Sequence, residues 1–141
     1  MKNKIIKIIA LTLLVSIAIP SCKKYVDGPR FSLLTKKARL AGDWKIESVT
    51  TNGNDQTASY KALVGDNYIF TIDKDEKYKV TGNFPDDGTY KWGEDKDDVY
   101  FTSNVAGSKE QACRILRLKS KELWLRTTAF NGDMTITKYK Q

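Results

Sequence analysis

The amino-acid sequence predicts an all-β fold, in which eight antiparallel strands run up and down and close into a barrel behind one short helix. From Asp43 onward, short runs rich in β-branched and aromatic residues alternate apolar with polar positions. Short connections rich in Gly, Asn and Asp separate these runs, so neighbouring strands are expected to pair antiparallel. Each run has one apolar face, which a closed sheet buries without leaving exposed edges. A sandwich of two sheets has the same local pattern and is the alternative.

A short helix is expected ahead of the first strand, in the segment FSLLTKKARLAG at 31–42. Phe31, Leu34 and Ala38 fall at helical spacing within it. Ser32 is the candidate N-cap, and Gly42 follows the end of the helix, where glycine is common.

Eight strands are predicted to follow, at 43–50, 67–72, 77–82, 88–92, 98–102, 112–119, 122–128 and 133–140. The sixth breaks the alternation because Arg114 and Arg117 cannot both alternate with its leucines, which predicts a β-bulge near Arg114. The long connection 51–66 contains ASYKALVG, which predicts one or two helical turns with Tyr60 and Val64 on one side.

Alternation also selects the residues expected inside the barrel. Trp44 and Ile46 share one face of the first strand, as do Met134 and Ile136 in the last. The candidates for lining a ligand cavity are Trp44, Tyr60, Val64, Tyr68, Phe70, Tyr90 and Trp92. An eight-stranded barrel has room for its own side chains or for one small ligand, so these residues either line a cavity or fill it.

The first two dozen residues have the layout of a secretory signal. Lys2, Lys4 and Lys7 form a basic start, and no charged residue occurs from 8 to 19. A membrane-spanning helix needs about 20 apolar residues, more than this segment offers. We therefore expect residues 1–21 to act as a signal peptide and to be cleaved off.

The end of that segment resembles a bacterial lipobox, with Ser21 directly before Cys22 and Ile19 at the third position back. The resemblance implies that the Cys22 thiol is acylated and that Cys22 becomes the first residue after cleavage. Multiple acyl chains anchor a protein far more firmly than one chain does. We expect a lipoprotein of the cell envelope, in the outer membrane and facing the periplasm or the surface, with 22–30 as a tether and 31–141 as the barrel domain. A secreted protein without lipid is the alternative.

Composition argues against several classes of function. The 141-residue chain has a formal charge of +7, which falls to +4 when the three lysines of the signal are lost, and its lysines are interleaved with acids. Nucleic acid is therefore not an expected partner.

The chain has no histidine, and beside Cys22 only Cys113 remains, so no disulfide framework is expected. The acidic runs 73–77 and 94–98 lack the spacing of a calcium loop. We expect no enzyme, no metal and no cofactor.

The segment LAGDWKIES resembles the G-x-W opening of lipocalins, because Gly42, one further residue and Trp44 begin the first strand after a short helix. Together with the lipobox and the late strand ELWLR, it is similar to the small lipocalin-like lipoproteins of Bacteroidetes-type bacteria. The resemblance implies a structural role for Gly42 and Trp44. It also implies that Trp44 closes the narrow end of the barrel beneath a basic side chain from a late strand, for which Arg126 is the candidate.

The two ends of the predicted barrel differ in their connections. Residues 73–76, 93–97 and 120–121 form short, charged connections at the end where the chain enters, whereas 51–66, 83–87, 103–111 and 129–132 meet at the other. Long loops at one rim suit a ligand cup, since loops carry recognition and strands supply the wall.

We therefore expect a monomer that binds a small, largely apolar molecule inside the barrel. The mouth is predicted between 51–66 and 103–111, past Tyr60 and Val64, with Thr50, Asn104 and Thr128 as polar groups at the rim. The alternative is a filled barrel with no ligand, which acts through its outer surface as an envelope interaction partner or inhibitor.

Overall fold

The structure is a computed structural model that describes residues 34–141. Two helices are present in this part of the chain, α1 (Lys36–Leu40) and α2 (Thr57–Val64). The strands are β1 (Gly42–Thr51), β2 (Asn54–Asp55), β3 (Phe70–Ile72), β4 (Lys77–Val80), β5 (Asp86–Trp92), β6 (Asp98–Ser103), β7 (Gln111–Leu118), β8 (Glu122–Thr128) and β9 (Met134–Lys140). No helix among these residues is long and apolar enough to cross a membrane.

Eight of the strands form a closed antiparallel barrel. Strands β3 to β9 pair in chain order, β1 pairs with β3 on one side, and β1 also pairs with β9 along 45–51 to close the sheet. The two-residue β2 pairs antiparallel with the end of β1 and takes no part in closing the barrel. This arrangement confirms the predicted up-and-down barrel and rules out the sandwich, because a sandwich would leave β1 and β9 as separate edges.

One end of the barrel, which we call the closed end, is covered by α1. Leu40 at the end of α1 is completely buried, and the indole Nε1 of Trp44 donates to the Leu40 carbonyl over 2.8 Å. Arg39 Nη1 donates to the carbonyl of Leu118 over 3.0 Å, which ties α1 to β7. The helix begins later than predicted, since Thr35 caps it by accepting from the Ala38 amide. The predicted cap Ser32 lies outside the described residues.

Two β-bulges change which residues point inward. The predicted irregularity in β7 is present, between Ile115 and Arg117. A second bulge in β1, between Ile46 and Ser48, was not predicted, and beyond it Val49 is buried. In β9 the interior position is Tyr139, which is buried, whereas Met134 is exposed. The prediction that Met134 and Ile136 face inward is therefore wrong by one residue. A shift of one residue moves each side chain of a strand to the opposite face.

The opposite end, which we call the open end, is where the connections 52–69, 81–85, 104–110 and 129–133 lie. Helix α2 contacts β1, which pairs with β3 only over 42–44 and with β9 over 45–51. The start of α2 is fixed by the Gln56 amide, which donates to the Val49 carbonyl over 2.8 Å. Its end is fixed by the Asn83 amide, which donates to the Val64 carbonyl over 2.7 Å.

Candidate functional site

The main cavity inside the barrel, which we call the cup, lies toward the open end and has a volume of about 350 Å³. Below it, the barrel is filled by apolar side chains that are completely or almost completely buried, among them Trp44, Ile72, Val99, Leu118 and Leu123. The cup is lined by Tyr68, Phe70, Tyr78, Val80, Asp86, Phe101, Ser103, Ser108, Lys109, Gln111, Cys113, Leu125, Thr127, Thr137 and Tyr139. The closed end is therefore solid, and the open end has room for a guest.

Five aromatic rings form much of the wall of the cup: Phe70, Tyr78, Phe101, Tyr139 and Tyr68. The Phe101 ring packs edge-on against both Phe70 and Tyr78, with 5.4 Å between ring centroids in each pair. Edge-to-face packing is the favoured geometry for aromatic rings because their faces are negative and their edges positive. The rings hold one another in place, so they present a preformed apolar surface.

The polar side of the cup is organised around Asp86, the first residue of β5. Its carboxylate accepts from the Tyr78 hydroxyl over 2.7 Å and from the Ser103 hydroxyl over 2.5 Å. Gln111, Thr127 and Thr137 add further hydrogen-bonding side chains to the lining. The cup therefore combines an aromatic wall with one acidic group and several neutral polar ones.

Gly88 makes room for this arrangement. It lies opposite Tyr78 in β4 and opposite Ser103 in β6. A Cβ at this position would lie 2.8 Å from Cε1 of Tyr78 and 2.0 Å from the carbonyl oxygen of Thr102. Only glycine therefore lets the Tyr78 ring lie over β5 and reach Asp86.

Burial favours the neutral forms of the tyrosines and of the cysteine in the wall. Burial raises the pKa of Tyr68 to about 12, and it also raises the pKa of Tyr78, whose hydroxyl donates a hydrogen bond to Asp86. The pKa of the fully enclosed Tyr139 is raised for the same reason. Burial raises the pKa of the Cys113 thiol to about 12, so the reactive thiolate is not formed at neutral pH. These groups suit hydrogen bonding rather than nucleophilic chemistry.

Of the seven residues predicted to line a ligand cavity, Tyr68 and Phe70 line the cup. Trp44, Tyr90 and Trp92 do not line it. Trp44 is completely buried beneath α1, and the Tyr90 hydroxyl donates to the carbonyl of Asp73 in a closed-end connection over 2.8 Å. The Trp92 ring lies 5.9 Å from Lys36 Nζ of α1. These three rings belong to the solid half of the barrel.

Tyr60 and Val64 of α2 are absent from the lining of the cup, which corrects the predicted entrance. Tyr60 lines a separate groove between α2 and the ends of β1 and β9. Val64 is buried and lines another groove beside Lys45 and Ile46. Helix α2 thus lies outside the lining of the cup. The connections contribute Tyr68, which follows α2, and Ser108 and Lys109, which follow β6.

The resemblance to lipocalins also implies structural roles for Gly42 and Arg126. Gly42 opens β1 with a φ of +150°, a backbone conformation that other residues rarely adopt. Arg126 lies between the inward residues Leu125 and Thr127 and opposite Arg114, whose side chain pairs with Asp98 on the outside. Arg126 therefore points outward and cannot cover Trp44. A basic residue that does lie at the closed end is Arg39 of α1, whose Nη1 donates to the Leu118 carbonyl.

The polar residues that line the cup are adjacent in sequence to the polar residues predicted for the rim. Thr127 lines the cup, whereas Thr128 is exposed on the outer face. Ser103 takes the role expected of Asn104, whose side chain binds Asp87 outside. Asp86 was missed because the run of Asp86 and Asp87 after Pro85 is typical of a turn.

Several carboxylates of the acidic runs at the closed end form ion pairs with nearby cations. Lys36 pairs with Asp97 at 3.1 Å, Lys37 pairs with Glu76 at 3.0 Å, and Arg114 binds Asp98 at 2.9 Å. Within 34–141, no group of three or more Asp, Glu, Cys or His side chains is placed to hold a metal ion.

Cys22, the predicted lipid attachment residue, lies outside the described residues, as do the predicted signal peptide and tether. In comparisons with known proteins, no family model matches the chain, and no curated protein is significantly similar to it. The cup and its lining are therefore the observations from which a function is argued.

Proposed function

We propose that this protein binds a small molecule in the cup. The observation that carries the proposal is a cavity of about 350 Å³ inside the barrel, with aromatic rings on its wall and several hydrogen-bonding groups. Small-molecule pockets are typically about 300–1,000 Å³, mostly apolar, with a few polar groups that fix orientation. The volume is at the small end of that range and favours a compact guest over a long lipid.

The open end also has apolar side chains where a guest would enter. Leu63 of α2, Phe84, Val105 and Phe130 are exposed there, each on a different connection. Large apolar side chains gathered at one end of a soluble domain are typical of a contact surface. They support binding at this end of the barrel rather than at the closed end.

We propose further that Cys22 carries a lipid that holds the protein in the cell envelope. The basic start, the short apolar stretch and the Ser–Cys junction support this. The described part of the chain enters the barrel at the closed end, through α1, opposite the mouth of the cup. A lipid anchor would then leave the mouth accessible to molecules outside the membrane.

The binding proposal is tested by blocking the cup. Thr127 lines the cavity, so a Thr127→Trp side chain should occupy it. Thr128→Trp adds the same bulk to the exposed neighbouring position and is the matched control. Binding of a panel of compact amphiphiles with positive, neutral and negative head groups is measured by calorimetry on the purified full-length chain.

The proposal requires saturable binding of at least one probe at one molecule per chain, lost in Thr127→Trp and kept in Thr128→Trp. Equal binding by both variants, or no binding of any probe to the unsubstituted chain, would refute it. Calorimetry suits this site because no tryptophan lines the cup, so quenching of Trp44, Trp92 or Trp124 reports on it only indirectly.

A second function, binding of a protein partner through the outer wall, is favoured by one feature. The outward-facing Trp124 ring lies between two cations, with Lys138 Nζ at 4.1 Å and the Arg117 guanidinium carbon at 4.8 Å from its centroid. Tryptophan and arginine are enriched where proteins bind each other. Trp124→Ala should leave the small-molecule probes unaffected and abolish partner capture if this second function is the true one.

A further inference from the structure

We propose that the guest of the cup is a small organic cation, with an ammonium group placed at Asp86 and an apolar body against the aromatic wall. This inference rests on the proposed binding function and goes beyond it by naming the chemical class of the ligand. It also replaces the largely apolar guest expected from sequence.

The first step of the argument is the bonding capacity of Asp86. An ionised carboxylate has about four acceptor positions. Two are used in the structure, by the hydroxyls of Tyr78 and Ser103. No lysine or arginine among residues 34–141 forms an ion pair with Asp86. The carboxylate is therefore held in position by two donors and still has acceptor positions for a cationic guest.

The second step is the wall around it. Tyr68, Phe70, Tyr78, Phe101 and Tyr139 line the same cavity as Asp86. The face of an aromatic ring attracts a cation, more strongly where water is excluded. A negative or neutral guest lacks this attraction between a cation and the ring faces. A negative guest is also repelled by Asp86. The combination of several rings with one carboxylate is selective for positive charge.

The third step is the charge around the mouth. The chain as a whole is basic, with a formal charge of +7. The connections at the open end, 52–69, 81–85, 104–110 and 129–133, are acidic instead, since they hold four carboxylates and two lysines. Asp86 and Asp87 follow directly after the second of them. A cleft surrounded by one sign of charge concentrates ligands of the opposite sign.

Lys109 is the one lysine that lines the cup, and its position is compatible with a cationic guest. Its Nζ lies 5.5 Å from the ring centroid of Phe130 at the tip of the connection after β8. The ammonium group is thus directed to the rim and stacks on an exposed ring. Asp86 remains the acidic group of the cup lining.

The test uses three probes of nearly equal size that differ in charge: 2-phenylethylammonium, 2-phenylethanol and 3-phenylpropionate. Affinity is measured by calorimetry on the purified full-length chain. We expect the ammonium to bind about tenfold or more tightly than the alcohol, because hydrogen bonds to charged groups are the stronger ones. We expect the carboxylate to bind least.

Two variants locate the effect. Asp86→Asn removes the charge inside the cup and keeps the size of the side chain. Asp87→Asn removes the same charge from the next residue, which binds Asn104 outside the cup. Asp86→Asn should lower the affinity for the ammonium about tenfold and leave the alcohol nearly unchanged, whereas Asp87→Asn should change neither by more than about twofold. Urea unfolding of both variants checks that they fold.

The outcomes separate this inference from the proposed function. Equal affinities for the three probes, all abolished by Thr127→Trp, would overturn the cation assignment and leave the binding cup intact. Preference for the carboxylate would overturn it as well and would point to Lys109 instead. Absence of binding for all three, and for every compact amphiphile of the wider panel, would overturn both. The probe series on the unsubstituted chain decides the matter even if Asp86→Asn fails to fold.

Discussion

Replacing Trp44 by alanine should destabilise the barrel more than any other single truncation at the closed end. The side chain is completely buried, and its indole Nε1 donates to the Leu40 carbonyl over 2.8 Å. Truncating a buried tryptophan costs about 3–5 kcal/mol. The upper part of that range applies here, since the buried Leu40 carbonyl also loses its donor and the contact between β1 and α1 is weakened.

Urea unfolding followed by circular dichroism measures this effect. With a urea dependence of about 2 kcal/mol per molar, a loss of about 4 kcal/mol lowers the midpoint by about 2 M. Trp44→Phe keeps most of the ring but not the donor, so it should lower the midpoint by about half as much. Phe130→Ala is the control, because Phe130 is fully exposed and should cost less than about 0.5 kcal/mol.

A midpoint for Trp44→Ala that falls no further than that of Phe130→Ala would refute the reasoning. It would mean that the ring is not enclosed between α1 and the barrel. Trp44→Phe keeps the test readable if the alanine variant does not fold at all. A phenylalanine variant as stable as the parent would show that the bond to Leu40 contributes nothing.

Three further predictions follow from the sequence and the structure. Cys22→Ser should release the protein from membrane fractions or block its processing, and unchanged fractionation would remove the lipid anchor. Stability should fall as pH rises above about 10, where tyrosines in the unfolded chain ionise; a urea midpoint that is level from pH 8 to 11 would contradict the raised pKa values of Tyr68, Tyr78, Tyr90 and Tyr139. Gly88→Ala should lower the free energy of unfolding by about 1–3 kcal/mol through overpacking, and an unchanged urea midpoint would show that the Tyr78 ring is not held against β5.

The sign of the pH effect follows from the direction of the shifts. Burial raises the pKa of Tyr90 to about 12, whereas the unfolded side chain ionises near 10. The unfolded chain therefore loses protons first as the pH rises, and the stability contributed by the neutral buried ring is fully present below about pH 10 and is lost toward pH 12. Tyr90→Phe should make the decline shallower, which identifies the ring as one of its sources.

The strands were largely predictable from the sequence because a half-buried strand imposes a period of two. The predicted strand 122–128 coincides with β8, and 77–82 and 98–102 differ from β4 and β6 by one or two residues. The strand predicted at 67–72 is shorter, as β3 begins only at Phe70. Residues 67–69 follow the end of α2, where β1 has left the pairing with β3.

The cup was harder to predict, because alternation assigns a face and not a depth. Trp44 and Phe70 both point inward and are direct neighbours in the sheet, yet only Phe70 lines the cup. The depth of a residue along the barrel axis depends on how the paired strands are staggered. That stagger is known only once the strand pairing is known. The bulge in β1 then moved the inward position from Thr50 to Thr51, and Asp86 was hidden in a sequence typical of a turn.

The most direct test of the binding cup is an NMR map of where 2-phenylethylammonium contacts the saturated protein. We expect shifts for the amides of Ser103, Gln111, Thr127 and Thr137, which line the cup, and an unchanged indole signal from Trp124 on the outer wall. Intermolecular contacts from the probe ring to Phe70 and Phe101 should accompany them. Shifts confined to Trp124 and its neighbours Arg117 and Lys138, with the cup residues unmoved at saturation, would contradict a ligand-binding interior and favour the outer surface.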